Sequence, residues 1–184
     1  NNVQAINVGA FNGWNSLQEI TLPFVGQSRT ATYENAVFGY IFGYTKNNSN
    51  YSGYDINGSY VSNCSQGYES NVFIPYSSGQ SNNFPSNTTW QYSEKYYYSS
   101  SQYGVTSYYY YIPSTITKVT ITDASKIDAG AFFNCKNITE INLNDEITTI
   151  DQYAFANATK LDTFKLPNSL TTLANHAMYN CDGI

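Results

Sequence analysis

The last third of the chain repeats itself at a fixed step, and this period restricts the available folds more than any other feature of the sequence. Ala131-Phe132, Ala154-Phe155 and Ala177-Met178 recur at a step of 23 (154 − 131 and 177 − 154). Ile127, Ile150 and Leu173 keep that step, as do Ile138, Leu161 and Ile184, and the pairs Ile141/Phe164, Leu143/Leu166 and Ile147/Leu170. At the other end of the chain, INVGAF at Ile6 to Phe11 overlays IDAGAF at Ile127 to Phe132, and Leu17, Ile20 and Leu22 take the offsets of Ile138, Ile141 and Leu143. A strand-like segment, Ile116-x-x-Val119-x-Ile121, precedes the second copy of the Ala-Phe pair.

The spacing inside the unit fixes its local structure. In Ile138-Thr-Glu-Ile141-Asn-Leu143, the alternation at 141 and 143 is that of a short strand with one buried face. Thr139, Glu140 and Asn142 are thereby directed outward, as are Asp162, Thr163 and Lys165 in the next unit. One such unit has too few apolar side chains to offset the entropy lost in ordering it, so each coil must stack on its neighbours. The expected fold class is a repeat solenoid, mostly β and irregular.

AFFNCKNITEINLNDEITTI and AFANATKLDTFKLPNSLTTL resemble the repeat of the BspA-like leucine-rich-repeat family, with its Ala-Phe…Asn-Cys…Leu-x-x-Ile-x-Leu-Pro…Leu-x-x-Ile pattern. The resemblance covers residues 1–22 and about 113–184. Asn144 stands where Pro is usual, Ala158 where Cys is usual and Met178 where Phe is usual; these departures are expected to weaken single coils without disturbing the register. The resemblance implies a right-handed stack of short parallel strands, in secreted or cell-surface proteins that bind host or neighbouring-cell ligands. It leaves the ligand open. The final MYNCDGI stops inside a repeat, so the natural protein is expected to continue beyond Ile184. The start, NNVQAINVGAF, has neither an initiator Met nor a basic-then-apolar leader and reads as a mature or trimmed product.

Between Leu22 and Ile121 the numbering advances by 99 where one period takes 23, an excess of 76. The expected organisation is therefore a first coil at 1–22, an insertion at 23–112 and further coils at 113–184. The insertion holds seventeen of the nineteen tyrosines and only seven charged residues, the remainder being largely Ser, Asn and Gly. FGYIFGY at Phe38 to Tyr44 and YYYYIP at Tyr108 to Pro113 have strand propensity and can extend the sheet or cap its side. One reading is a loop-rich decoration whose aromatics pack on the first coil. The other is a contact surface, because Tyr, Ser, Gly and Asn together are the composition of binding paratopes. Its candidate residues are Trp90, Tyr96, Tyr97, Tyr98, Tyr108 and Tyr109, to which the outward strand residues Glu140, Asn142 and Lys165 are added. Trp14 and Trp90, with tyrosines, are also candidates for stacking on sugar faces.

Chemistry is sparse. The net charge of −5, with no basic run, argues against nucleic acid as a partner, and no apolar stretch approaches the roughly 18 residues that cross a bilayer. Cys135 and Cys181 share a column two periods apart, which at about 4.8 Å per strand sets them about 10 Å from each other, beyond disulfide reach. They read as small inward residues, and Cys64 as a free thiol or a partner for Cys135. His176 falls in the column of Gly9, Gly130 and Tyr153, read as an exposed position open to any residue; without an orienting carboxylate it makes a poor base. Asp128 and Asp151 share a column and read as a solvated turn ladder ahead of calcium binding or catalysis. Neither a Gly-x-Ser-x-Gly elbow nor a glycine-rich phosphate loop occurs. No catalytic residue, cofactor or metal is assigned, and the expected partner is an extracellular protein or glycan, with a passive spacer as the alternative.

Overall fold

The computed structural model describes residues 2–51, 53–54, 60–61, 70–72, 88–99 and 102–184; between 44 and 111 it describes side chains only at Gln91 and Tyr110. Its strands, in chain order, are β1 (Glu19–Leu22), β2 (Tyr44–Tyr51), β3 (Gly53–Tyr54), β4 (Tyr60–Val61), β5 (Ser70–Val72), β6 (Thr88–Ser99), β7 (Gln102–Pro113), β8 (Lys118–Ile121), β9 (Lys126–Ile127), β10 (Glu140–Asn142), β11 (Thr149–Ile150), β12 (Thr163–Phe164) and β13 (Thr172–Leu173).

Two parallel sheets run along the stack. The first has the order β1-β8-β10-β12 and the second β9-β11-β13. Lys118 pairs with Glu140 and Glu140 with Thr163, so the numbering steps by 22 and then by 23. In the second sheet Lys126 pairs with Thr149 and Thr149 with Thr172, a step of 23 each time. The missing residue is absorbed between Ile121 and Ala124, where two residues do what Asn144 to Glu146 do in the next coil. β8 alternates half-buried and buried residues, and Ile141 of β10 and Ile150 of β11 are buried in the same way. One continuous core results, including Ile116, Val119, Ile121, Ile127, Ile138, Ile141, Ile147, Ile150 and Leu161.

The third side of each coil is a tight turn carrying the Ala-Phe pair. Successive turns hydrogen-bond to each other: Gly130, Phe132 and Asn134 donate to Gln152, Ala154 and Ala156 at 3.1, 2.6 and 2.8 Å, and Phe155 and Asn157 donate to Ala177 and Tyr179 at 2.8 and 2.9 Å. The Phe rings stack inside the turns. Phe132 lies parallel to Phe155 at 5.4 Å between centroids, and Phe38 lies against Phe132 at 5.4 Å.

That last contact shifts the expected boundary of the interruption. Residues 23–43 supply core side chains, among them Phe24, Val25, Val37, Phe38, Ile41 and Phe42. Phe38 N–H donates to Ala131 at 2.8 Å, while Gly9 and Phe11 donate to Tyr40 and Ile41 at 3.1 and 2.8 Å. The segment 36–42 is thus the turn of a coil lying between the N-terminal turn and that of residues 129–134. Phe38–Phe42 is a tight helical turn and not the strand its composition suggests, because it occupies a turn column of the stack. Tyr108 to Pro113 is strand, within β7.

What interrupts the solenoid is an antiparallel arm of order β2-β7-β6-β5, with β3 and β4 paired separately. It leaves after Gly43 and returns at Pro113, at the turn-to-strand step that the next coil spans with Cys135 to Asn137. Two adjacent residues on paired strands hold it to the stack: Gln91 of β6 and Tyr110 of β7, which face each other in the register and are both buried. Tyr110 packs so closely on Gly39 that a Cβ there would lie 2.3 Å from the tyrosine Cβ, and its hydroxyl donates to the Glu34 carbonyl at 2.5 Å.

Candidate functional site

The outward face of the first sheet carries rows of polar side chains in parallel register. β-Pleating sends alternate residues to it, and parallel register lines them up in rows across the coils. One row runs Glu19, Lys118, Glu140, Thr163; the second runs Thr21, Thr120, Asn142. Lys165 follows β12 and is exposed, one period after Asn142.

The rows are linked by polar contacts. Lys118 Nζ lies 3.1 Å from Glu140 Oε1, and Asn142 Nδ2 donates to the same carboxylate at 2.7 Å. The Asn142 bond, with that from Lys118, holds the Glu140 carboxyl below its ordinary range. The same carboxylate, by hydrogen bond and charge, holds the Lys118 ammonium above its own. An exposed network of this kind contributes little to folding, since solvent screens it. Its effect is to hold three long side chains in one arrangement, leaving less rotamer entropy to lose on contact.

A second surface lies over the turns. Lys136, Tyr153, Asn157, Thr159, His176, Tyr179 and Asn180 line a cleft of about 560 Å³. Tyr153 and His176 stack at 5.2 Å with planes 14° apart, Tyr179 meets His176 edge-on at 5.8 Å, and Asn180 Nδ2 donates to Asn157 Oδ1 at 2.9 Å. The backbone explains the columns. Gly9, Gly130, Tyr153 and His176 all have positive φ, of 70°, 62°, 55° and 57°. Gly13, Asn134, Asn157 and Asn180 do likewise, at 85°, 60°, 61° and 56°. His176 is exposed as expected, but its column does not accept any residue: it demands a left-handed backbone, which Gly adopts freely and Asn with little strain.

Of the candidates read from the sequence, Glu140 and Asn142 are brought together on the sheet face, with Lys165 one coil further along. Trp90, Tyr96, Tyr97 and Tyr98 belong to β6, and Tyr108 and Tyr109 to β7, in one antiparallel pair. Their side chains lie outside the described residues, as does Cys64. Trp14 is exposed, edge-on to Phe11 at 5.1 Å.

Cys135 is a free, buried thiol whose ionisation burial opposes, so the sequence alternative that pairs it with Cys64 is not the arrangement found. Cys181 is half-buried, with Sγ 3.1 Å from the Phe155 carbonyl, and Ala158 fills the column between them. Asp128 and Asp151 cap turn amides, those of Ala129 at 2.9 Å and Gln152 at 2.7 Å, and Asp128 pairs with Lys126 at 2.5 Å. Among the described residues no group of three or more His, Cys, Asp or Glu could hold a metal, and no helix is long and apolar enough to cross a membrane.

Two amides were not read as structural from the sequence. Asn144, in the place of a customary proline, donates to the Ala124 carbonyl at 2.8 Å and accepts from its N–H at 3.2 Å, so this departure stitches neighbouring coils together. Gln91 does the same from the arm, accepting from Gly39 and donating to the Ala131 carbonyl at 3.0 Å. The repeat marks Asn144 only as a departure from its pattern and does not mark Gln91 at all, because each acts through its side chain between columns.

Residues 103–184 match the family model of the BspA type leucine rich repeat region, in six copies. No curated protein and no solved structure matched the chain.

Proposed function

We propose, from the match of residues 103–184 to the BspA type leucine rich repeat region, that the chain is an extracellular or cell-surface binding module that contacts a protein ligand through the outward face of its first sheet. Regions of this kind are generally interaction modules and not enzymes. The observation that carries the reading is the pre-ordered cluster of Lys118, Glu140 and Asn142, with both charges held in place by hydrogen bonds on an exposed, in-register face. A solenoid surface of this sort offers a partner fixed donors and acceptors at strand spacing. The tyrosine-rich arm stands at one coil of the same stack, and in this reading its strands add a second contact whose Tyr, Ser, Gly and Asn composition suits adaptable recognition.

The test is a screen of the folded chain against a panel of extracellular-matrix proteins. Capture of a panel member, lost when Glu140, Asn142 and Lys165 are together replaced by Ala, supports the reading. A folded chain that captures none of them leaves a passive spacer as the better account.

A further inference from the structure

We propose that the cleft over the turns is a saccharide subsite selective for a pyranose bearing a carboxylate, of the uronic or sialic acid type. This does not depend on the sheet-face reading, since no residue is shared.

The volume, about 560 Å³, falls within the range of small-molecule sites. Its walls carry the groups a sugar uses. Tyr153 and His176 stack face to face at 5.2 Å, so the Tyr153 face turned away from His176 is the flat aromatic surface against which the C–H face of a pyranose can lie. The preceding member of their column, Gly130, contributes no side chain, so the aromatic row ends at Tyr153 and the cleft extends to Lys136. The Asn157–Asn180 bond uses one acceptor of the first amide and one donor of the second. The two N–H bonds of the Asn157 amide and the carbonyl of the Asn180 amide are left to meet sugar hydroxyls, as is the Thr159 hydroxyl.

Charge sets the selectivity. Lys136 is the one fixed charge among the lining residues, and no carboxylate lines the cleft with it, although acids exceed bases in the chain as a whole. A carboxylate on the sugar would receive a charge-assisted hydrogen bond from Lys136, which a neutral hexose cannot take in ionised form.

The experiment is saturation-transfer NMR titration of the chain with N-acetylneuraminic acid, glucuronic acid and glucose, beside the variants Tyr153→Gly and Lys136→Gln. Glycine already holds this column at Gly9 and Gly130 with φ of 70° and 62°, so Tyr153→Gly removes the ring while keeping the backbone conformation. A cooperative unfolding transition establishes that each variant is folded; Tyr153→Asn, which also tolerates positive φ, stands in for Tyr153→Gly, and Lys136→Met for Lys136→Gln, if either is not. At least one acid is expected to bind about tenfold tighter than glucose. Whichever acid binds tells a sialylated from a uronic source. Tyr153→Gly should lose all three sugars, and Lys136→Gln should lose the preference for acid while keeping weak sugar binding. No binding by the parent chain, equal affinity for glucose and both acids, or unaltered binding in Tyr153→Gly would each overturn the proposal.

Discussion

Gln91 Oε1 accepts the backbone N–H of Gly39 at 2.5 Å, with both residues buried, so that a side chain of the inserted arm completes the hydrogen bonding of a solenoid turn. In the later turns the equivalent N–H groups, of Phe133 and Ala156, donate to backbone carbonyls of their own turn, those of Gly130 and Tyr153, at 2.9 and 3.2 Å. Replacing Gln91 by Leu keeps the volume but leaves the Gly39 N–H buried without its acceptor. The expected loss is about 1–3 kcal/mol of stability, measured by urea unfolding. Gly39→Ala should destabilise as well, because its Cβ would lie 2.3 Å from that of Tyr110. If both variants unfold at the parent midpoint, the arm is not clamped as described.

The left-handed turn columns make a prediction of opposite sign to ordinary propensity. At exposed His176, with φ 57°, a β-branched residue strains the backbone and Gly relieves it. His176→Val should be less stable than His176→Gly by about 1–2 kcal/mol, although in an extended strand the order would be reversed. Thermal unfolding of the two variants side by side checks this.

Phe155 is fully buried between Phe132, stacked at 5.4 Å, and Phe164, at 4.9 Å. Truncation to Ala opens a cavity in the middle of the stack and should cost about 3–5 kcal/mol. A cost below about 1 kcal/mol would show that neighbouring coils collapse freely into the gap.

Two ion pairs give the stability a pH dependence. Arg29 hydrogen-bonds Asp123 and holds its carboxyl below the ordinary range, while also donating to the Val3 carbonyl at 2.9 Å. Asn142 and Lys118 do the same for Glu140. A carboxyl whose pKa is depressed in the folded state stabilises it above the unfolded pKa, and that contribution fades as pH falls through the folded value. Stability should thus decline below about pH 4. Lys118, raised by Glu140, contributes below its unfolded pKa and loses the contribution as pH rises through the folded one, at the alkaline end. Glu140→Gln and Asp123→Asn should each flatten the acid limb, since the group that titrates is gone; an unchanged limb in both would assign acid sensitivity elsewhere.

The solenoid was legible because its information is periodic: inward Ile, Val and Leu at a fixed step leave one architecture able to bury them all. The coil built from residues 23–43 was not, because its turn falls outside the period. Phe38 follows Phe11 at a longer step than the repeat allows, the extra length lying in the loop that Arg29 fastens to Asp123. The sequence therefore assigned that coil's aromatics to the insertion. On the sheet face, alternation identified Glu140 and Asn142, but not that Asn142 and Lys118 converge on Glu140, since Lys118 comes from another coil. The cleft was missed because its residues read as turn filler. The signal was present in the columns Gly9, Gly130, Tyr153, His176 and Gly13, Asn134, Asn157, Asn180, whose shared Gly and Asn content marks left-handed turns.

The sheet face is the proposed protein-binding surface. The most direct measurement is the dissociation constant, by surface plasmon resonance, of a matrix protein captured in the screen, for the parent chain and for the variant carrying Glu140→Ala, Asn142→Ala and Lys165→Ala. The constant is expected to weaken by about tenfold or more, or about 1.4 kcal/mol of binding energy, at an unchanged unfolding midpoint. An unchanged constant in a folded variant would contradict it and move the contact off this face.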